Sequence, residues 1–311
     1  MLQRAPSTDI INGCGYAPHE ALDGIQYSEF CCYLSGKSRK EAVLLLQADY
    51  SNNNRRERFV TMAITEVFPN PTVTGVHFEI RFPSLFFIEQ RIGDFQTKIM
   101  DKFPESSLVL RRRVIFADIG PEGKLEPPPG DTTAITKMWN FKSGTGVELN
   151  VLSDSLALHS TRHKTYNNPN SDERFRDIIA CVTESFFQIA PIPVISRLGL
   201  RYIDECPVLK KENKTFQKWY KTTFPLSRFN LADAREMVFR ATVSKKGHFI
   251  RFMESLYCKN ATDILVLDFD GFAEKVKSGD CLAVTDKLHK LISDEFEASI
   301  RDPVYKFMRK R

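Results

Sequence analysis

The stretch VTGVHFEIRF, residues 73–82, alternates: Val76, Phe78, Ile80 and Phe82 fall on one face, and Gly75, His77, Glu79 and Arg81 on the other. Successive side chains of a strand point to opposite sides of a sheet, so this segment predicts a strand with one buried and one polar face. The period then changes. Ile88, Ile92, Phe95, Ile99 and Phe103 recur at helical spacing, which predicts a helix within 86–103.

Downstream, 108–119 reads as a strand carrying Arg111, Arg112 and Arg113, and 120–133 as a connection rich in Pro and Gly. Trp139 and Phe141, the turn Ser143-Gly144-Thr145-Gly146, then Val147, Leu149 and Val151, then Leu156 and Leu158, predict a meander. A helix is expected over 171–189, with Phe175, Ile178, Ile179, Val182 and Phe186 as its core stripe. Asn170 and Glu173 stand at the spacing of a reciprocal cap, and Pro191 ends the helix. Further strands are predicted at 195–204, 236–244, 248–257 and 263–270, with a short helix at 213–222 and a long one at 281–302.

The order is β-α-β-β-β-β-α followed by β-α-β-β-β-α. It predicts an α+β protein of two β-α-β(3–4)-α halves with antiparallel sheets, 62–192 and 193–311. Such tandem halves resemble the saddle of the TATA-binding-protein fold, or two helix-grip lobes. Residues 1–61 show no sustained period apart from the short apolar run Ala42 to Leu46, and are expected to be a poorly ordered leader. In one version Met62 is the natural start; in the other the leader is a regulatory extension.

Composition sets the class. With 42% hydrophobic and 27% charged residues the chain matches globular proteins. It has no apolar run of membrane-spanning length and no apolar signal-peptide segment near its start, so a cytoplasmic protein is expected. The net charge is +5. Residues 1–61 hold seven basic and seven acidic side chains, which places the whole excess on 62–311. That mild excess falls short of a dedicated nucleic-acid binder. Seven cysteines, at 14, 31, 32, 181, 206, 258 and 281, form no CxxC pair, which argues for reduced thiols and against a zinc knuckle.

Familiar chemistries are absent from the pattern. Asp268-Phe269-Asp270-Gly271 follows an apolar strand, as in haloacid-dehalogenase-type phosphatases. Phe272 stands where Thr or Val is needed, and only 39 residues remain for the later Lys and acidic loops, so the string reads as an acidic strand end at the sheet edge. There is no GxSxG elbow, P-loop or GxGxxG. The six histidines, at 19, 77, 159, 163, 248 and 289, show no metal-binding spacing on a helical face. No catalytic set, metal site or cofactor is predicted.

Binding residues are better defined. In RLGLRYID, residues 197–204, Arg197, Gly199 and Arg201 share one face and Leu198, Leu200 and Tyr202 the other. Two guanidinium groups flanking a glycine form an open cationic notch suited to a small anionic ligand or an acidic protein partner. The competing reading pairs both arginines with neighbouring-strand carboxylates such as Glu236 or Glu254. On the last helix, His289 and Glu295 fall within or beside the apolar stripe Val284, Leu288, Leu291, Ile292, Phe296 and Ile300, where a polar group needs a partner or lines a wet cleft. The polar faces of the strands carry His77, Glu79, Arg81, Glu148, Asn150 and His159, whose carboxylates disfavour nucleic acid.

RLGLRYID, together with NPTVTGVHFEIRF at 70–82, FKSGTGVELNVLSDSLALHS at 141–160 and TDKLHKLISDEFEASI at 285–300, resembles a sporadically distributed bacterial family without an established activity. The resemblance covers about 62–311. Its patchy occurrence implies an accessory role, such as phage defence or a mobile-element function. The function expected from the sequence is therefore non-enzymatic recognition of a polar ligand or a protein partner. A nucleic-acid saddle and an enzyme of unfamiliar type, using His289 or Asp268 and Asp270, are the alternatives.

Overall fold

Strand β1 (Val73–Arg81) buries Val76, Phe78 and Ile80 completely, while His77 and Glu79 stay accessible on its opposite face. The computed structural model describes residues 67–112, 135–168, 173–259 and 261–310, all within the compact unit Met62–Arg311. The leader expected over 1–61, with Cys14, Cys31 and Cys32, lies outside the described residues, as do Arg113 and Asn170.

After β1 come α1 (Ile88–Ile99), β2 (Glu105–Arg112), β3 (Ile135–Lys142), β4 (Val147–Val151), β5 (Ser155–Ser160) and α2 (Phe175–Ile189). The chain continues with β6 (Val194–Pro207), α3 (Asn213–Trp219), β7 (Met237–Lys245), β8 (His248–Lys259), β9 (Thr262–Lys277), α4 (Cys281–Ser299) and α5 (Asp302–Met308). The protein is α+β. Among the described residues, nine strands join one antiparallel sheet in the order β2-β3-β4-β5-β1-β6-β9-β8-β7.

The apolar stripes of α1, α2 and α4 cover one side of this sheet. Phe95 of α1 meets Phe141 of β3 and Phe186 of α2 edge-on, at 5.9 and 5.4 Å between ring centres. Phe296 of α4 meets Phe269 of β9 at 6.3 Å. Each such buried ring contributes about 1.5–3 kcal/mol, so the predicted stripes hold the layers together. Gly271 of β9 sits beneath α4, where a Cβ would come within 3.3 Å of the Ile292 side chain.

Several boundaries differ from expectation for local reasons. Helix α2 starts at Phe175, because Arg174 is extended and Glu173 instead accepts hydrogen bonds from Thr145 and Lys102. Helix α4 stops at Ser299. Ile300 and Arg301 are extended, and Pro303, which has no N–H to continue the ladder, opens α5. Strand β9 runs seven residues past Asp270, so Asp268 and Asp270 lie in mid-strand between β6 and β8, not at a strand end on the sheet edge.

Candidate functional site: the open sheet face and the cavity under α4

On the face away from the helices, one transverse row of directly opposed residues crosses the whole sheet: Glu105, Lys142, Glu148, His159, His77, Arg201, Asp270, Arg251 and Thr242. The register sets opposite charges side by side at four of the eight adjacent pairs, Glu105 with Lys142, Lys142 with Glu148, and Asp270 with Arg201 and Arg251, the arrangement that stabilises neighbouring strands. The imidazoles of His77 and His159 stack at 4.2 Å between ring centres, with their Nδ1 atoms 3.1 Å apart. Burial, then His159 and Arg201, hold the His77 pKa down at about 4.

The two arginines of RLGLRYID lie on this face, as their alternation requires. Arg197 donates to both oxygens of Asp270, at 2.8 and 2.9 Å, and to Glu79 at 3.0 Å. Arg201 forms a two-bond fork with Asp268 at 2.8 and 2.5 Å. The partners are thus the acidic residues of β9 and β1. Glu254, expected as a partner, accepts instead from Thr222 and Thr223. The notch is also closed: a Cβ on Gly199 would lie 2.5 Å from Arg197 Nη1, so the glycine gives the Arg197 guanidinium its resting place. Phe272 covers that guanidinium from 4.8 Å.

On the helix side, a cavity of about 710 Å³ opens between α4, the segment 164–168, the start of β1 and the middle of β6. His289 stands in its wall, stacked on Tyr166 at 4.5 Å and tilted against Tyr202 at 5.9 Å. Burial lowers the His289 pKa to about 4 against the opposing effect of Asp286, so the ring is neutral at pH 7. Asp286 accepts from Tyr166 at 2.8 Å and from a two-bond Arg176 fork at 2.8 Å each. Those bonds hold its carboxyl below the usual range although burial alone would raise it.

Two groups at the floor stand apart. The Tyr202 hydroxyl is buried and has no hydrogen-bond partner. Asp204, two positions along the same strand face, is 3% exposed and accepts from the Thr72 hydroxyl at 2.7 Å. Burial pushes its pKa up to about 7, with the Thr72 bond opposing. Lys164 lines the same space, with its ammonium held by the carbonyls of Val73 and Thr161 at 2.8 Å each. Phe68, Ile292, Phe296 and Met308 supply apolar wall.

The predicted binding residues are not brought together. Arg197 and Arg201 occupy the open face, His289 the cavity on the other side, and Glu295 pairs with Lys245 of the β7–β8 hairpin. The alternation of RLGLRYID carried an unread signal: Asp204 falls on the same face as Leu198, Leu200 and Tyr202, and a carboxyl there is unexplained by packing. Tyr166 and Asp286 gave no comparable signal. Among the described residues no cluster of three or more metal-ligating side chains occurs, and no helix is long and apolar enough to cross a membrane. No family model, curated protein or solved structure matches this chain.

Proposed function

We propose that this protein is a binding protein, and that its ligand is a small polar molecule seated in the cavity under α4. The observation that carries this reading is the Tyr202 hydroxyl, buried at the cavity floor without a partner. Leaving such a group unsatisfied costs about 1–3 kcal/mol; the hydroxyl is closed off from solvent, so a ligand acceptor group removes that cost by entering past the wall that covers it. The cavity volume falls within the range of small-molecule sites. The wall has already neutralised most of its charge, through Arg176 with Asp286 and Arg174 with Asp177. Among the described residues, the Lys164 ammonium is held by two backbone carbonyls and by no carboxylate, so an acceptor group, neutral or anionic, has a donor to meet.

Native mass spectrometry of the protein purified gently from its own host tests the reading. A retained small molecule is expected, and Ser293→Phe, which pushes a ring into the cavity, should abolish it. An empty wild-type protein, or equal retention by the variant, would sink the proposal.

We further read the topology as two related halves meeting at the β1–β6 pair, with strands running outward as β1-β5-β4-β3-β2 and β6-β9-β8-β7. This supports a saddle-like description, and with it a second reading in which the open face holds nucleic acid. The paired charges of that face weigh against it: Glu79, Glu148, Asp268 and Asp270 would all oppose a phosphate backbone. Fluorescence anisotropy with random duplex DNA and single-stranded RNA is expected to give a Kd above ~10⁻⁶ M at physiological salt. Tighter binding would reverse the ranking. The bacterial family that 62–311 resembles would share the ligand-binding role, in an accessory or defence setting.

A further inference from the structure

Among the described residues, strand β7 is an edge of the sheet, nine residues long, and none of its residues is fully buried. Val238 and Val243 are about half exposed, and Phe239 is exposed as well. Such an edge, without Pro or a bulge, is a template for another strand. The strand is held straight at its far end, where Lys245 and Lys246 pair with Glu295 and Asp294 of α4. Lys246 and Gly247, with φ of 53° and 78°, form the two-residue hairpin turn. In such a hairpin the flanking pair, Lys245 and His248, is the closing hydrogen-bonded pair. Odd-numbered residues of β7 therefore bond to β8. Residues 238, 240, 242 and 244 direct their N–H and C=O groups outward.

We infer that β7 pairs with β7 of a second copy, antiparallel about a twofold axis at Ala241. This register opposes Arg240 with the second copy's Thr242 and Val238 with its Ser244, so every outward-directed group meets another. It also places Phe239 against Val243 on the helix side, covering the exposed apolar residues there. The neighbouring registers are worse. A twofold at Arg240 sets two arginines directly opposite each other, and like charges in that position destabilise a pair; one at Thr242 gives up the Phe239–Val243 contact and sets Phe239 against Lys245. The other edge, β2, runs at Arg112 into residues outside the described ones. The inference is independent of the cavity and its ligand.

Sedimentation and light scattering of the full chain at about 50 µM should give twice the 35.7 kDa of one chain. Thr242→Pro removes an outward N–H and none that β8 uses, and Phe239→Lys sets a charge in the apolar contact; both should yield monomers with unchanged circular dichroism. Ala241→Cys should crosslink within the dimer on mild oxidation, because opposed residues of a non-hydrogen-bonded pair stand about 4.5 Å apart at Cα. Phe239→Cys, which does not face its own copy, should crosslink no more than wild type. A monomeric wild-type chain, a dimer untouched by both edge variants, or equal crosslinking at 239 and 241 would overturn the proposal.

Discussion

The two sides of the sheet treat buried polar groups in opposite ways. On the open face, Arg197 and Arg201 are matched to Asp270, Glu79 and Asp268, and a glycine makes room for the fit. In the cavity under α4, a tyrosine hydroxyl lacks a partner and a carboxyl rests on one threonine. An unpartnered buried hydroxyl costs stability, about 1–3 kcal/mol, which the paired open face does not incur. The conspicuous charges of the open face are thus paired with one another, whereas the floor of the cavity holds the polar groups with the fewest partners.

The largest effect should come from breaking the satisfied side. Arg197→Ala leaves Asp270 with only the Arg251 contact at 3.6 Å and Glu79 with only Arg81, and should lower stability by about 3 kcal/mol in urea melts. The Arg197 and Asp270 side chains are only 20% and 13% exposed, so solvent screens the pair little. Arg201→Ala should cost a comparable amount: its guanidinium is 42% exposed, but the Asp268 carboxylate it leaves behind is only 7% exposed. Unchanged stability in both variants would free the arginines for a ligand and restore the notch as a site.

Gly199→Ala should cost about 1–2 kcal/mol by displacing the Arg197 guanidinium from its seat. The same melts check it, and a neutral result would mean that Arg197 keeps its carboxylates from another rotamer.

On the unsatisfied side, Tyr202→Phe should leave the ligand-free protein as stable as wild type or more stable by about 1 kcal/mol, since it removes a hydroxyl that bonds to nothing. Clear destabilisation would reveal a partner for that hydroxyl and weaken the ligand reading.

Asp204 sharpens the contrast through pH. Its folded pKa of about 7 lies above the ordinary 3.8, so between these values the folded state holds a proton that the unfolded chain releases. The stability of wild type relative to Asp204→Asn should therefore decline as pH rises from about 4 to about 7, and level off above. His77 and His289, whose pKa values are lowered, tilt stability the other way but are shared by both proteins and cancel in the difference. A flat difference in urea melts across that range would show Asp204 to be fully compensated by its surroundings.

How much was legible depended on whether the signal was local. The alternation of 73–82 and of 197–204 predicted both faces of β1 and β6, because side-chain direction in a strand follows position alone. The stripes of α1, α2 and α4 were equally readable. By contrast, Asp268 and Asp270 read as a strand end, since Gly271 resembles a turn residue; only the approach of α4 at Ile292 explains a glycine inside β9. His159 and His77 lie 82 residues apart in sequence, and their stacking depends on β5 and β1 becoming neighbours.

From the sequence alone came the α+β class, the element types and the face on which each strand residue lies, because these follow from periodicities of two and of 3.6 residues. The tertiary structure decided what those faces meet. Strand order selected Asp268, Asp270 and Glu79 as the partners of the two arginines, closing the notch. The packing of α4 over β6 left a space beneath His289, with Tyr202 and Asp204 at its floor. Such pairings join residues far apart in the chain, and no local pattern encodes which strand or helix will stand beside another.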